Sequence, residues 1–306
     1  MKRLWLLMGL TLILSPVVQG TVIQHDAGHL ILDHSPRRIA ALNWTQAEML
    51  LSLGVSPVGV TSIKGYRQWQ SDYPPLPDQV VELGHRAEPS LEAIAHLQPD
   101  LILGYNWRHT RLLPVLEAIA PTALFRQYPS QKDPRDYLAR MQTTFRTVGE
   151  IVGRQQQTET KLTELADALT DARARIQQAG RTGETVVVGK FVGMGLGLRV
   201  YGEASLAGSL LREIGLQSVP LTPLPGRDFT HLDLLKLSSL GDVSLILLGD
   251  IPKEARGMTH SPVWQQLPAV RDNRLYRAPK LWSFGGPDSA IRMLHAFTDQ
   301  LAPEGT

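Results

Sequence analysis

The stretch GRQQQTETKLTELADALTDARARIQQ, residues 153–178, decides the architecture of this 306-residue chain. After Gly153 it has no further glycine or proline, and it is rich in Gln, Glu, Lys, Ala and Leu, which are strong helix formers. Apolar residues recur along it every three or four positions: Leu162, Leu165, Leu169, Ala172 and Ile176. This spacing predicts one long helix, about 38 Å in length, with a single apolar face. A plain surface helix or a coiled-coil strand is the alternative, which the short, Ala-rich stripe disfavours.

Short β-type runs alternate with helical stretches on both sides of this helix. Strands are predicted at residues 30–32, 38–42, 58–60, 101–103 and 123–125, and again at 186–188, 243–248 and 274–278. Helices are predicted at residues 45–53, 90–97, 205–214, 232–237 and 289–301. Such alternation indicates parallel sheets covered by helices. We expect an α/β protein whose lobes, residues 21–133 and 181–306, are joined through a linker, 134–180, with a ligand cleft between them that opens and closes little.

The first twenty residues have the pattern of an export signal. Lys2 and Arg3 precede an apolar stretch, residues 4–18, that is short for a membrane anchor, which needs about 20 residues. The chain contains no cysteine, so neither a disulfide nor a lipid-modified cysteine is expected. These features predict a monomer that is soluble in the periplasm and is not a lipoprotein.

Composition and motifs argue against nucleic-acid binding and catalysis. The chain has 31 Lys and Arg against 29 Asp and Glu, and removal of residues 1–20 leaves 29 of each, which gives nucleic acid no electrostatic attraction. The sequence GMGLG, residues 193–197, does not complete the GxGxxG fingerprint of dinucleotide-binding proteins, because position 198, where the pattern needs its last glycine, is Leu198. No phosphate loop, nucleophile elbow or HExxH motif occurs. We therefore expect neither an enzyme nor a bound cofactor.

His85, His109 and His231 leave a bare metal-ion site as an alternative, although none has ligand spacing.

Aromatic residues follow the predicted strands at their carboxyl ends, where ligands bind in open α/β sheets. They are Trp44, Tyr66, Trp69, Tyr105, Trp107, Trp282 and Phe284. Taken singly, each residue is more typical of a packed core, but together they predict a wide aromatic pocket for a bulky organic ligand. Arg86 follows Gly84 before the next helix, where its guanidinium suits paired oxygens. A surface ion pair of Arg86 with Glu88 or Glu92 is the alternative.

Several of these segments resemble the periplasmic binding proteins of ferric hydroxamate importers, which belong to the helix-linked class. The likeness covers nearly all of residues 21–306, most closely at RIAALNWTQAE (38–48), YRQW (66–69), PPLPD (74–78), LGHRAEPSLE (83–92), SPVWQQLPAVR (261–271) and LWSFGG (281–286). The PSLE pattern occurs throughout the helix-linked class and says little about the ligand, whereas YRQW and PPLPD are typical of a narrower group within it. The resemblance implies capture of an iron(III)–siderophore complex, with hydroxamates favoured, for delivery to an ABC permease.

The resemblance also implies roles for particular residues. Arg86 would hydrogen-bond the iron-bound oxygens, and Trp44, Trp69 and Trp282 would form the walls of the pocket. The family has a ligand-binding tyrosine on the loop after the 101–103 strand, and Tyr105, or alternatively Trp107, would take its place here. Phe229 stands where the family has a tryptophan in the C-terminal lobe. Glu92 and Asp233 would dock onto permease arginines, although either could simply be a charge at a helix N-terminus. The alternative function is that of a cobalamin-binding or haem-binding protein of the same architecture. No set of residues in the sequence supports a periplasmic hydrolase or chaperone.

Overall fold

The computed structural model describes residues 21–70, 73–131, 133–134, 136–192 and 197–303. The expected export signal, residues 1–20, and most of the glycine-rich stretch, residues 193–196, lie outside the described residues. No helix within the described ranges combines the length and hydrophobicity of a membrane-spanning segment.

The N-terminal lobe is built on a parallel five-stranded sheet. The lobe's strands are β1 Thr21–His25, β2 Gly28–Leu32, β3 Ile39–Ala41, β4 Gly59–Val60, β5 Val81–Glu82, β6 Gly84–His85, β7 Glu88–Pro89, β8 Leu101–Tyr105 and β9 Thr122–Phe125. Its helices are α1 Trp44–Ser52, α2 Ile63–Trp69, α3 Leu91–His96, α4 Asn106–His109 and α5 Leu113–Glu117. The sheet order is β5-β4-β3-β8-β9, so the chain reverses direction across the sheet between β3 and β8. That switch point opens a crevice at the carboxyl ends of the strands.

Two helices connect the lobes, α6 Tyr137–Ile151 and α7 Gln155–Gln178. Helix α7 is the helix that the leucine stripe predicts, and four of the five stripe residues are buried, with Leu169 partly buried. Helix α6 turns into α7 at Gly153, whose positive φ of 64° favours glycine. A Cβ on Gly153 would lie 2.9 Å from the Ser35 hydroxyl of the N-terminal lobe. Near the other end of α7, Arg173 Nε donates to the Glu213 carbonyl oxygen of the C-terminal lobe at 2.6 Å. Helix α7 therefore reaches from one lobe to the other.

The C-terminal lobe carries a six-stranded mixed sheet. Its strands are β10 Thr185–Phe191, β11 Leu198–Tyr201, β12 Gln217–Ser218, β13 Phe229–Leu232, β14 Ser244–Leu248 and β15 Leu275–Ala278. Its helices are α8 Leu206–Glu213, α9 Leu234–Ser238, α10 Arg256–Thr259, α11 Pro262–Gln265, α12 Pro268–Arg271 and α13 Pro287–Leu301. Strands β10, β14 and β15 are parallel as expected, but β11 runs antiparallel to both of its neighbours, β10 and β13. Only residues 192–197 separate β10 from β11, too few for the crossover that a parallel pair needs.

A buried polar network joins the lobes at the floor of the cleft. The carboxylate of Glu48, on α1, accepts hydrogen bonds from the Ser289 amide at 2.7 Å and the Ser289 hydroxyl at 2.8 Å, and Gln70 Nε2 also donates to it. Asp288, beside Ser289 on α13, forms an ion pair with Lys161 of α7 at 3.2 Å. The linking helix is thus reinforced by α13, which ties the C-terminal lobe to the N-terminal lobe.

Candidate functional site

A cavity of about 330 Å³ lies between the carboxyl ends of the two sheets. The residues that line it are Asn43, Trp44, Trp69, Arg86, Trp107, Arg108, Gln127, Tyr128, Lys190, Arg199, Arg227, Phe229, Trp282 and Phe284. Both lobes contribute, and the N-terminal share comes from the switch point of its sheet. Small-molecule sites span roughly 300–1,000 Å³ and combine aromatic walls with a few polar groups, as this cavity does.

Trp44 and Trp282 form the contact between the lobes at the back of the cavity. Asn43 accepts a hydrogen bond from the Thr45 amide and thereby begins α1, which places Trp44 directly after the strand. The Trp44 indole donates to the carbonyl oxygens of Thr61 and Ser62 at 3.1 Å. Its ring centroid lies 4.5 Å from that of Trp282 in an edge-to-face arrangement. These contacts fix the orientation of both rings.

Arg86 lies against these two rings. Its guanidinium carbon is 3.7 Å from the Trp44 ring centroid and 5.0 Å from that of Trp282. Among the described residues it forms no ion pair with Glu88 or Glu92, so the surface-pair alternative does not hold. Burial, followed by repulsion from Arg108, lowers the pKa of Arg86 to about 10. The guanidinium therefore stays charged at neutral pH and has a side facing the cavity.

His109 positions Arg86 from behind rather than binding a metal. Its Nδ1 accepts from the Tyr105 amide at 3.1 Å, which leaves the proton on Nε2 to be donated to the Arg86 carbonyl oxygen at 2.9 Å. Burial lowers the pKa of His109, so the neutral ring is favoured. A Cβ on Gly104 would lie 2.6 Å from Nδ1, which explains the glycine in this strand. A ring occupied at both nitrogens has no free ligand for a cation.

Seven of the predicted pocket residues line the cavity, and two do not. Trp44, Trp69, Arg86, Trp107, Phe229, Trp282 and Phe284 are in the lining. Tyr66 is instead fully buried, and its hydroxyl donates to the Pro74 carbonyl oxygen at 2.8 Å, because the short helix α2 turns Tyr66 inward and Trp69 toward the cavity. Tyr105 is the last residue of β8 and points into the core beside Thr45 and Tyr137, where burial raises its pKa to about 12. The tyrosine of the cavity is Tyr128.

The sequence interpretation missed seven lining residues, all with polar groups: Asn43, Arg108, Gln127, Tyr128, Lys190, Arg199 and Arg227. Tyr128 and Gln127 follow the strand that ends at Phe125, so the rule used for the tryptophans would have found them. Lys190 could have been found in the same way, near the carboxyl end of β10. Arg199 lies inside β11, and only the antiparallel pairing with β10 brings it to the cavity.

The remaining candidate residues are not part of the cavity lining. Glu92 is exposed in the first turn of α3. Asp233 caps α9 by accepting from the Lys236 amide at 2.8 Å. His85 is exposed, and the ring of His231 stacks against Phe229. Across the described residues, no group of three or more His, Cys, Asp or Glu side chains is arranged to hold a metal ion.

A two-lobed α/β fold with an aromatic cavity between the lobes defines a ligand-binding protein. The family model described as periplasmic binding protein matches residues 39–281, and the chain belongs to that family. It is 28% identical over 273 residues to the iron(3+)-hydroxamate-binding protein FhuD of Escherichia coli strain K12, covering 87% of each chain. It is 26% identical over 273 residues to the Fe(3+) dicitrate-binding periplasmic protein FecB of the same strain, covering 89% of this chain and 86% of FecB.

Among solved structures, the chain is similar to the Fe3+–Desferal-bound siderophore-binding protein FhuD from Vibrio cholerae. The TM-score is 0.78 at 28% identity, covering 87% of this chain and 98% of that one. The likeness therefore extends over both lobes and the helices that connect them.

Proposed function

We propose that this chain is a periplasmic binding protein that captures an iron(III)–siderophore complex, with hydroxamates favoured, and delivers it to an ABC permease. The observation that carries the proposal is the convergence of Trp44, Trp69, Trp282 and Arg86, from both lobes, on one cavity. The hydroxamate ligands named for the two FhuD relatives support the choice of ligand class.

The cavity suits recognition of a finished chelate. The indole rings offer flat apolar surface to the organic shell of a siderophore. Arg86 offers several donors in a planar fork, which matches paired oxygens such as those around a chelated ferric ion. The siderophore supplies the iron ligands, so the protein holds the ion only as part of its cargo and needs neither a cofactor nor a catalytic group.

Two alternatives fit the cavity less well. Haem bound through the cavity's tyrosine requires a tyrosinate, but burial raises the pKa of Tyr128, which disfavours that form. A bare transition-metal ion requires several ligands close together, whereas His85, His109 and His231 are separately placed and His109 is already bonded at both nitrogens. Cobalamin remains the competitor to test directly, since its corrin ring could use the same indoles.

A tryptophan fluorescence titration separates these functions. Ferric hydroxamates are expected to quench the emission of Trp44, Trp69 and Trp282, while iron-free siderophore, ferric salts, haemin and cobalamin leave it nearly unchanged. The variant Trp264→Phe is the control for specificity, because Trp264 is buried in the C-terminal lobe and is not part of the cavity lining. Quenching by cobalamin but by no ferric siderophore would show the proposal to be wrong.

Delivery to a permease is proposed through Glu92 and Asp233, one exposed carboxylate on each lobe. The double variant Glu92→Gln, Asp233→Asn keeps a capping group on α9 and is expected to reduce siderophore-dependent growth while leaving the Kd for the ferric complex unchanged. Glu150→Gln, an exposed carboxylate on α6, serves as the control. Normal uptake by the double variant would remove the docking role. We also propose that the protein acts as a soluble monomer, which sedimentation at working concentration tests.

A further inference from the structure

The cavity contains five basic side chains, hereafter the cationic cluster. Its members are Arg86, Arg108, Lys190, Arg199 and Arg227. The first two come from the N-terminal lobe and the other three from the C-terminal lobe, so the cluster faces the cavity from both sides.

Each member of the cluster lies over an aromatic ring of the same cavity. The distances from the charged group to the ring centroid are 3.7 Å for Arg86 on Trp44, 4.2 Å for Arg108 on Trp107, 4.1 Å for Lys190 on Trp69, 4.1 Å for Arg199 on Phe229 and 4.7 Å for Arg227 on Trp107. A ring face attracts and orients a cation but carries no net charge to neutralise it.

Among the residues that the structure describes, no carboxylate pairs with the cluster. Arginines elsewhere in the chain do have acidic partners, such as Arg146 with Glu159 at 2.9 Å and Arg181 with Glu184 at 2.5 Å. Within the described residues, no member of the cluster has a carboxylate oxygen within 4.0 Å. The nearby acid is Asp228, and burial raises its pKa to about 7, so its charge is only partly present at neutral pH.

The positive charge of three members of the cluster, Arg86, Arg108 and Lys190, is disfavoured by burial and by neighbouring cations. Burial, followed by repulsion from Arg199 and Arg86, lowers the pKa of Lys190 to about 7. Burial also lowers the pKa of Arg108, and the charge of Arg227 lowers it further. Lowered pKa values mean that the positive forms are disfavoured where they stand. A negative charge placed in the cavity would relieve that cost.

We propose that the cationic cluster selects ferric siderophores whose complex carries net negative charge, through carboxylates present in addition to hydroxamates. This inference rests on the proposed function. A ferric tris-hydroxamate is neutral, because three hydroxamate anions balance Fe³⁺. A complex in which an α-hydroxycarboxylate replaces one hydroxamate, or in which carboxylates remain free of the iron, is anionic. Guanidinium groups pair well with such carboxylates.

The test compares one neutral and one anionic ferric complex. The Kd values of ferrichrome and of ferric aerobactin, a mixed citrate–hydroxamate, are measured by fluorescence quenching at about 50 mM and about 500 mM NaCl. The aerobactin complex is expected to bind at least about tenfold more tightly at low salt, with a smaller advantage at high salt. Ferrichrome binding as tightly as ferric aerobactin at low salt overturns the inference and leaves the proposed function standing. If neither complex binds, both fail.

Two variants connect the preference to the cluster. Arg199→Gln and Arg227→Gln are each expected to reduce the aerobactin-to-ferrichrome affinity ratio severalfold. Arg277→Gln removes the same charge from an exposed position on β15 and is expected to leave both affinities unchanged. Thermal melting confirms that each variant is folded. A ratio that stays at the wild-type value in both folded cavity variants contradicts the assignment.

Discussion

The two places where the lobes meet treat buried charge in opposite ways. At the floor of the cleft, both oxygens of the Glu48 carboxylate accept hydrogen bonds from Gln70 or Ser289. In the cavity, the five members of the cationic cluster rest on aromatic rings and have no acidic partner among the described residues. The floor makes its hydrogen bonds within the protein, although burial raises the pKa of Glu48 to about 7, whereas the charge of the cavity would be balanced by the anionic ligand that we propose. We therefore propose that the floor sets the spacing of the lobes and that the cavity supplies recognition.

Truncation of the floor carboxylate is expected to have the largest effect. Glu48→Ala leaves the Ser289 amide and the Gln70 side-chain amide buried without their acceptor, and we expect a loss of about 2–4 kcal/mol in the free energy of unfolding. Urea denaturation measures it, with Glu150→Ala on the exposed face of α6 as the control. A loss no larger than that of the control would mean that the floor network does not hold the lobes.

Removal of the central guanidinium of the cavity should mainly affect binding. Arg86→Ala is expected to weaken the ferric siderophore complex by about 1.5–3 kcal/mol, because a charge-assisted hydrogen bond is lost in a partly buried site. Arg67→Ala, at an exposed arginine paired with Asp78 on the same lobe, is the matched control. If titration gives the same Kd for Arg86→Ala and the wild type, Arg86 does not contact the ligand.

Binding of an anionic ferric complex is expected to weaken as the pH rises above about 7. Lys190, which faces Arg199, Arg86 and the Trp69 ring, has a pKa of about 7 in the free protein, and a bound anion raises that pKa. Lys190 therefore takes up a proton when the ligand binds, so the affinity is greatest below pH 7 and falls as the pH rises toward the pKa that Lys190 has in the complex. Asp228, with its pKa of about 7, acts in the same direction by gaining negative charge.

The Kd measured between about pH 6 and about pH 9 checks this expectation, with a change of at most about tenfold per pH unit for each proton taken up. Lys190→Gln and Asp228→Asn are each expected to flatten part of the slope. A pH-independent Kd in the wild type would show that neither group is coupled to the ligand.

The smallest effect is expected at the cavity rim. Trp107 is 40% exposed, its indole donates to Gln127 at 2.9 Å, and its ring supports Arg108 and Arg227. Trp107→Phe keeps an aromatic face and should weaken binding by less than about 1 kcal/mol. Trp107→Ala, which removes that face, should cost more. A larger loss for the Phe variant than for Arg86→Ala would place the recognition centre at the rim instead of between the lobes.

The sequence carries the fold and part of the site. The stripe from Leu162 to Ile176 was enough to predict the linking helix, since apolar spacing maps directly onto a helix face. Trp44 and Trp282 were predictable because residues after strand ends converge at one edge of a sheet. Tyr66 was misplaced because nothing in the sequence shows which face of the short helix α2 turns inward.

The cationic cluster could not be recognised from the sequence as a unit. Arg199 reaches the cavity through the register of β11 against β10 and β13, and Arg227 arrives from the loop before β13. The pairing of β11 with β13 joins positions that are not close in the chain, and the pairing of β11 with β10 is an antiparallel hairpin that the strand pattern did not reveal. The near balance of 31 Lys and Arg against 29 Asp and Glu in the whole chain also conceals five basic side chains gathered at one cavity.

The most direct test of the account is the position of iron in a crystal of the protein with a ferric hydroxamate, located by its anomalous scattering. The account predicts one iron peak inside the cavity, bracketed by Trp44, Trp69 and Trp282, with Arg86 directed at its oxygen ligands and no protein atom bonded to the metal. An iron peak outside the space between the lobes, or one ligated directly by protein side chains, would contradict it.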